Sequence, residues 1–593
     1  MSTLTVALCQ FRPSKGRVME NMDRVEAVFA AVAAAPTVPD VVIFPEAILT
    51  GYFLEGGVLE HACRAEDLHQ RLAERHARSG APPLDVCLGF YELHDDHLYN
   101  SAIWTSLGGQ DAGIRHVHRK LFLPTYGVFD EQRFVEAGRE IHAFDTRHGR
   151  MAMVVCEDAW HSLVPTIAAL DGAQFLAVVA ASPARGLAPD PANPCQPESL
   201  GRWERVARSI ATEHGLFVAL TQLVGFEGGK GFPGGSLLAG PTGEVLARAP
   251  IFEDSVVQHT IELGELARVR AGSPMLADLR EKLPHLVRAL EQTGSPPQTD
   301  VRPSRSAASP ARIAADVPPP AVSGMEIDAE LARRWLVEFL RDELTRRRGF
   351  AKAIVGLSGG VDSAVVAWLA AEALGPESVI AVRMPYRTSS PDSLAHARLV
   401  TEALGIEERT VDITAAVDGY AAACGMPPTP DRLGNVMART RMITLFDLSA
   451  ACGALPLGTG NKSERLLGYF TWHADDTPPI NPIGDLFKTQ VWALARHLGV
   501  PEAIVNKRAS ADLIEGQSDE DDFGVSYATA DGILDLLLRG YREPAILAAG
   551  FSAEQIALVR GRLDNTHWKR RPPSVAMVSQ TAVGEYYLRP VDY

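Results

Sequence analysis

Cysteine is scarce in this chain, with seven among 593 residues, at positions 9, 63, 87, 156, 195, 424 and 452. None falls in a CxxC or other metal-binding spacing, which argues against a disulfide framework and a structural zinc site and fits a reducing compartment. Basic charge is also short. The 57 Lys and Arg side chains face 73 Asp and Glu, for a net charge of −16. That balance leaves no broad cationic face for nucleic acid and allows only local phosphate pockets. No uninterrupted apolar run approaches the roughly 20 residues of a membrane span. The opening MSTLTVALCQF reads as a β-strand and has neither a basic n-region nor a small-residue cleavage site. The expectation is a cytoplasmic protein with neither nucleic acid nor membrane as a partner. A Walker-type GK[ST] string is absent too, so γ-phosphoryl transfer is not predicted.

What is present is an ordinary globular composition, 46% hydrophobic and 22% charged, in a chain too long for one hydrophobic core. Up to about residue 285, near-continuous apolar runs such as PDVVIFPEAI, DVCLGFYE, RMAMVVCEDAW, AQFLAVVAASP and LFVALTQLVG alternate with helical stretches such as NMDRVEAVFAAVAAA and RWERVARSIATEHG. Strands of that kind belong inside a layered α/β fold with both sheet faces covered. Residues 286–324 end in GSPPQTDVRPSRSAASPARIAADVPPPAVSG, whose composition cannot build a core and predicts a linker. From 325 to 593 the α/β pattern resumes. Two unlike α/β domains, 1–285 and 325–593, are predicted.

In the first domain, Cys156 directly follows the apolar run RMAMVV and precedes EDAW, so its thiol is expected at the C-terminal edge of a buried strand. An inert buried cysteine is the plain alternative. Glu46 ends VVIFPE in the same manner, and Lys120 lies in HRKLFLPTYGVFDEQRF, where polar groups interrupt an apolar pattern. Together the three make chemical sense: a thiolate attacks an amide carbonyl, a carboxylate takes its proton and later activates water, and an ammonium stabilises the oxyanion. Spacing alone does not establish such a triad. These residues match the Glu-Lys-Cys pattern of the nitrilase superfamily, which this half of the chain resembles and which implies a four-layer α-β-β-α sandwich. Glu131 matches a second glutamate of that superfamily, with a surface salt bridge as the alternative. LPTYGVFDEQRFVEAG is similar to the glutaminase domains of NAD⁺ synthetases. By that likeness Tyr126, Phe129 and Ser182 enclose glutamine, although the two aromatics would otherwise be ordinary core residues.

The second domain opens with AKAIVGLSGGVDSAVVAWLAAEALG, a β-branched strand running through SGGVDS into a helix. Ser358, Gly359, Gly360 and Ser363 would bring backbone N–H groups and hydroxyls around a phosphate at the helix N-terminus. The full string resembles the PP-loop family of ATP pyrophosphatases, which implies a doubly wound parallel sheet and release of pyrophosphate with formation of an adenylate. LPLGTGNKSERLLGYFTWH resembles the NAD⁺ synthetase signature. The likeness implies Thr459, Lys462 and Lys488 on ATP phosphates, Asp362 and Glu464 on Mg²⁺, and Ser510 near the pyrophosphate. It also implies Asn435, Arg439, Arg441, Asp475, Lys569 and Arg570 on the dinucleotide, the last two having a plain basic surface as their alternative.

Some segments depart from the family pattern. ARGLAPDPANPCQPESLGRW follows residues 181–183 without the family's Gly-Lys pair; Gln222 replaces an Asn and Pro233 an Asp; Pro479 replaces a later Asp of the loop that retains Asp475. The resemblance to glutamine-dependent NAD⁺ synthetases covers most of both domains. It implies ATP-dependent amidation of nicotinic acid adenine dinucleotide through an adenylate, with Mg²⁺ as cofactor, ammonia from glutamine, and a homo-oligomer. The runner-up is another PP-loop amide-forming ligase fed by a nitrilase-like amidase.

Overall fold

The computed structural model describes residues 3–54, 57–191, 194–293, 325–424, 428–510, 518–571 and 576, so that most of the expected linker, 294–324, lies outside the described residues. These residues form two compact units. One holds residues 3–186 and 196–293; the other holds 325–571 together with 187–191 and 194–195. The expected boundary at 285 falls within the helix Met275–Gln292. No helix among the described residues is long and apolar enough to cross a membrane.

In the first unit, β1 (Thr3–Gln10), β2 (Val41–Ile43), β3 (Leu84–His94), β4 (His97–Leu107) and β5 (Gly113–Arg119) are followed by β6 (Phe144–Thr146), β7 (Gly149–Val155), β8 (Phe175–Ala180) and β9 (Phe217–Gln222). Then come β10 (Val224–Glu227), β11 (Lys230–Pro233), β12 (Leu237–Ala239), β13 (Val245–Arg248) and β14 (Ser255–Glu262). They make two six-stranded mixed sheets, ordered β14-β1-β2-β3-β4-β5 and β13-β12-β9-β8-β7-β6, and a small β10-β11 ribbon. Alternation along β1 explains the layering. Leu4, Val6 and Leu8 share a core with Met151, Met153 and Val155 of the other sheet, whereas Ala7 and Cys9 pack with Met22, Val25 and Phe29 of the helix Val18–Ala33. Trp203, Ala207 and Ile210 of the helix Glu198–His214 cover the second sheet. The result is the expected helix–sheet–sheet–helix sandwich.

In the second unit, β15 (Lys352–Gly356), β16 (Val379–Arg383), β17 (Glu407–Thr410) and β18 (Ala454–Leu457) form an all-parallel sheet ordered β17-β16-β15-β18. Ala353 and Val355 face the helices Ala329–Leu340, Val361–Leu374 and Lys488–His497, while Ile354 faces Thr414–Ala423 and Pro430–Cys452. Both faces are therefore covered, as a parallel sheet of apolar strands requires. Leu187 packs against the first of these cores, and its carbonyl accepts from the Asp328 N–H at 2.8 Å.

Candidate functional sites

The first site gathers at one end of the sandwich. β2, β5, β7 and β8 each deliver a residue just past a C-terminal end: Glu46, Lys120, Cys156 and Ala181. The backbone is bent sharply at two of these exits, where Ala47 has φ +50° and Cys156 itself φ +46°. Left-handed conformations are unfavourable for non-glycine residues and persist only where their surroundings over-determine them. Gly89 of β3 permits the first bend, since a Cβ there would lie 2.5 Å from the Glu46 Cα.

Lys120 is wholly buried, and its Nζ donates to Glu46 Oε1 at 2.9 Å and to Glu131 Oε2 at 2.7 Å. Glu131 is thus a buried partner of the lysine and not a surface ion pair. The Ala181 N–H donates to Glu46 Oε2 at 2.7 Å and also faces the Cys156 sulfur. Burial, then the Glu46 carboxylate, hold the Cys156 thiol well above its ordinary range, against the pull of Lys120. Burial alone would depress the Lys120 ammonium, but Glu131 and Glu46 outweigh it and hold it charged. Burial raises Glu131, partly offset by Lys120. A protonated thiol beside an acceptor carboxylate and a fixed cation can transfer its proton as it attacks a carbonyl.

Phe129 joins Tyr52, Phe53 and Tyr126 in an aromatic cluster. Tyr126 is 59% exposed and its OH donates to Glu157 Oε2 at 2.7 Å. Ser182 lies next to Ala181, half-buried.

Two residues absent from the sequence reading organise this site. The Asn100 amide donates to Glu46 Oε1 at 2.7 Å and to Glu131 Oε1. Asp158, fully buried, accepts from the N–H groups of Leu121 and Phe122, each at 2.9 Å, and pairs with His118 Nε2 at 2.8 Å, tying the Lys120 segment to the turn that begins at Cys156. Their signal was faint: Asn100 is a polar residue inside a strand-like run, and Asp158 is the second of two acids just after one.

The second site is a cavity of about 420 Å³ at the C-terminal ends of β15, β16 and β18, where open parallel sheets bind ligands. Ser358, Gly360, Asp362, Ser363, Thr459, Glu464, Lys488, Ser510, Arg441, Asp475 and Lys569 all line it. The loop folds on itself through Ser358 Oγ and Ser363 Oγ, 3.2 Å apart, and through Ser363 Oγ donating to the Gly360 carbonyl at 3.0 Å. Gly359, with φ +76°, admits no side chain, because a Cβ would strike the Ser393 carbonyl.

Lys488 Nζ lies 2.5 Å from Asp362 Oδ2 and 3.5 Å from Glu464 Oε1. Burial, against the pull of Lys488, lifts Glu464 above the usual carboxylate range. Asn461 donates to Asp362 Oδ1 at 3.0 Å and caps the helix Lys462–Leu467, accepting from the Glu464 N–H at 3.0 Å. Lys507, Asp519 and Asn461 join the site without having been singled out in the sequence.

Other expected residues stand apart from the cavity lining. Lys462 pairs with Asp485 at 3.0 Å. Arg439 donates to the Trp472 carbonyl at 3.1 Å, and Asn435 accepts from Thr471 Oγ1 at 2.9 Å. Arg570 donates to the carbonyls of Leu466 at 2.9 Å and Leu563 at 2.8 Å. Lys569 lines the cavity, with its Nζ on the Gly468 carbonyl at 2.8 Å.

A buried thiol hydrolase site and a Ser/Gly phosphate loop on a parallel sheet, carried on one chain, define a class of protein that handles carbon–nitrogen bonds with the help of a nucleotide. Family models agree: carbon-nitrogen hydrolase matches residues 5–271 and NAD synthase matches 333–573. An NH3-dependent NAD+ synthetase from Trichlorobacter lovleyi is 49% identical over 263 residues, 44% of this chain and 94% of its own length. One from Chlorobaculum parvum is 46% identical over 263 residues, again 44% and 94%. A glutamine-dependent NAD+ synthetase from Acinetobacter baumannii, solved with ADP, has the same fold with a TM-score of 0.69 at 24% identity, covering 99% of this chain and 98% of that one. The chain belongs to the NAD synthetase family, in the two-domain form that carries a carbon-nitrogen hydrolase unit ahead of the synthetase unit.

Proposed function

We propose that the first unit hydrolyses glutamine and that the second uses the ammonia and ATP to amidate nicotinic acid adenine dinucleotide. Supporting this most directly is one cavity that joins the SGGVDS loop to Asp362, Glu464 and Lys488, in a chain with 49% identity to an NH3-dependent NAD+ synthetase. Cys156 passes its proton to Glu46 as the sulfur attacks the amide carbon, the oxyanion faces Lys120, and Glu46 returns the proton to the leaving ammonia. Water deprotonated by Glu46 then cleaves the thioester to glutamate. Glu131 holds Lys120 in place. Tyr126, Phe129 and Ser182 border the bound glutamine.

In the second unit the substrate carboxylate attacks the α-phosphate, pyrophosphate leaves, and ammonia displaces AMP from the adenylate. Ser358, Gly359, Gly360, Ser363, Thr459, Lys488 and Ser510 receive ATP phosphates, while Arg441, Asp475 and Lys569 face the dinucleotide. Arg439, Asn435 and Arg570 support that region through the loops they brace, and Lys462 reaches phosphate by exchanging its Asp485 partner. Asp362 and Glu464 offer hard carboxylate oxygens on the cavity wall that would hold Mg²⁺. Bound there, Mg²⁺ neutralises phosphate charge. The reading extends to a cytoplasmic homo-oligomer and to the division 1–285, 286–324 and 325–593.

Purified protein given ATP, Mg²⁺, nicotinic acid adenine dinucleotide and amide-¹⁵N glutamine tests this. Labelled NAD⁺, AMP and pyrophosphate in equal amounts are expected. ATP cleaved to AMP only with a different acid acceptor would transfer the assignment to another amide-forming ligase.

A further inference from the structure

Asn100 performs no step in the hydrolysis proposed above, yet it touches both the carboxylate that moves the protons, Glu46, and the one that holds Lys120, Glu131. It is fully buried on β4, its backbone carbonyl accepts from the Lys120 N–H at 2.9 Å, and its Nδ2 donates to Glu46 Oε1 at 2.7 Å and to Glu131 Oε1. Its Oδ1 is buried with no hydrogen-bond partner among the described residues. The reverse amide orientation would aim that oxygen at two carboxylates, so the partners fix the orientation as a double donor. Unpaired buried acceptors are costly, which marks this one as retained for what the other end of the amide does.

The charge count shows what that is. Glu46 and Glu131 share one cation, Lys120, and all three are buried. The other titratable groups facing them are the Tyr52 phenol, 3.3 Å from Glu131 Oε2, the Tyr91 phenol, which donates to the Tyr52 carbonyl at 2.7 Å, and the Cys156 thiol. Next beyond lie Glu227, which accepts from the Tyr52 and Phe53 N–H groups, and its partner Lys15. Two carboxylates with one ammonium tend to capture a proton, and a captured proton would disable the base. A neutral donor that bonds to both favours their ionised forms without adding charge.

We infer that Asn100 is a positioning residue that holds Glu46 and Glu131 as a fixed pair of acceptors around Lys120, with Glu46 oriented to take the Cys156 proton. Asp at this position would keep the shape, replace the donor by an acceptor and add a third carboxylate. The inference rests on the hydrolase reading of the site, but its test does not require turnover.

The rate of Cys156 alkylation by iodoacetamide, followed by peptide mass spectrometry from pH 5 to 10, reads the thiol directly in the full-length parent and in Asn100→Asp. The variant is expected to be alkylated about tenfold or more slowly than the parent at every pH in that range, because less thiolate forms beside a third carboxylate. It should also lower kcat for glutamine hydrolysis about tenfold or more, with KM within about twofold. Asn100→Ser, which retains one donor and adds no charge, should slow alkylation in the same sense by less, and it carries the test if the Asp variant does not fold. Superimposable alkylation profiles in the parent and the folded variant would overturn the inference, even if kcat fell. A shifted profile in a protein that never hydrolyses glutamine would uphold the role of Asn100 while defeating the substrate reading.

Discussion

The two sites solve opposite problems. In the first unit Glu46, Lys120 and Asn100 have no exposure at all, and Cys156 is on a strained turn. In the second, the reactive groups border a cavity of about 420 Å³, and Asp362 and Glu464 retain 16% and 19% side-chain exposure. The contrast teaches that covalent attack on a small amide is served by groups fixed before substrate arrives, whereas a site for nucleotide phosphates needs room and charges that can change partners. Lys120 bridges two carboxylates buried with it. Lys488 bridges two that border an open cavity.

Replacing each bridging lysine by methionine should break the comparison most visibly. Lys120→Met is expected to lower glutamine-fed NAD⁺ formation by about 10²–10³-fold while sparing ammonium-fed formation. It should also destabilise the first unit by about 3–5 kcal/mol, because two buried carboxylates lose their only shared cation. Lys488→Met should lower formation from both nitrogen sources by about 10²-fold. Steady-state rates with each nitrogen source, together with thermal unfolding, separate the two outcomes; equal losses from Lys120→Met on both sources would erase the distinction.

A sharper version concerns the phosphate loop alone. Gly359→Ala forces a side chain against the Ser393 carbonyl at φ +76°. A cost of about 1–3 kcal/mol in the second unit and a rise in KM for ATP larger than that for the dinucleotide are expected. Calorimetry and initial rates check both.

The smallest effect separates a ligand contact from a brace. Arg570 donates to the Leu466 and Leu563 carbonyls, so Arg570→Ala should cost about 1–2 kcal/mol and leave KM for the dinucleotide nearly unchanged. Lys569→Ala, on the cavity wall, should raise that KM.

Much of this was legible in the chain because burial leaves a strong mark. The runs RMAMVV and FLAVVA became adjacent strands β7 and β8, and SGGVDS became a strand-to-helix loop because glycine and serine have few other uses there. Less legible was whatever depends on partners distant in sequence. Asn100 and Asp158 look like stray polar residues until β4 and the turn at Cys156 place them, one between two carboxylates and the other under three backbone N–H groups. The same holds for Lys462 and Lys488, since only the packing of the helix Lys488–His497 against Val361–Leu374 shows which lysine lies between Asp362 and Glu464. Residues 187–191 fall inside the predicted first domain, yet Leu187 packs against a core of the second unit.

The division of labour between the two sites is tested most directly by Cys156→Ala assayed beside the parent, with ATP, Mg²⁺ and nicotinic acid adenine dinucleotide, on glutamine and separately on ammonium. NAD⁺ from both sources in the parent and from ammonium alone in the variant is the predicted result. NAD⁺ from glutamine in the variant at the parental rate would contradict it, because the nitrogen would then be released somewhere other than at Cys156.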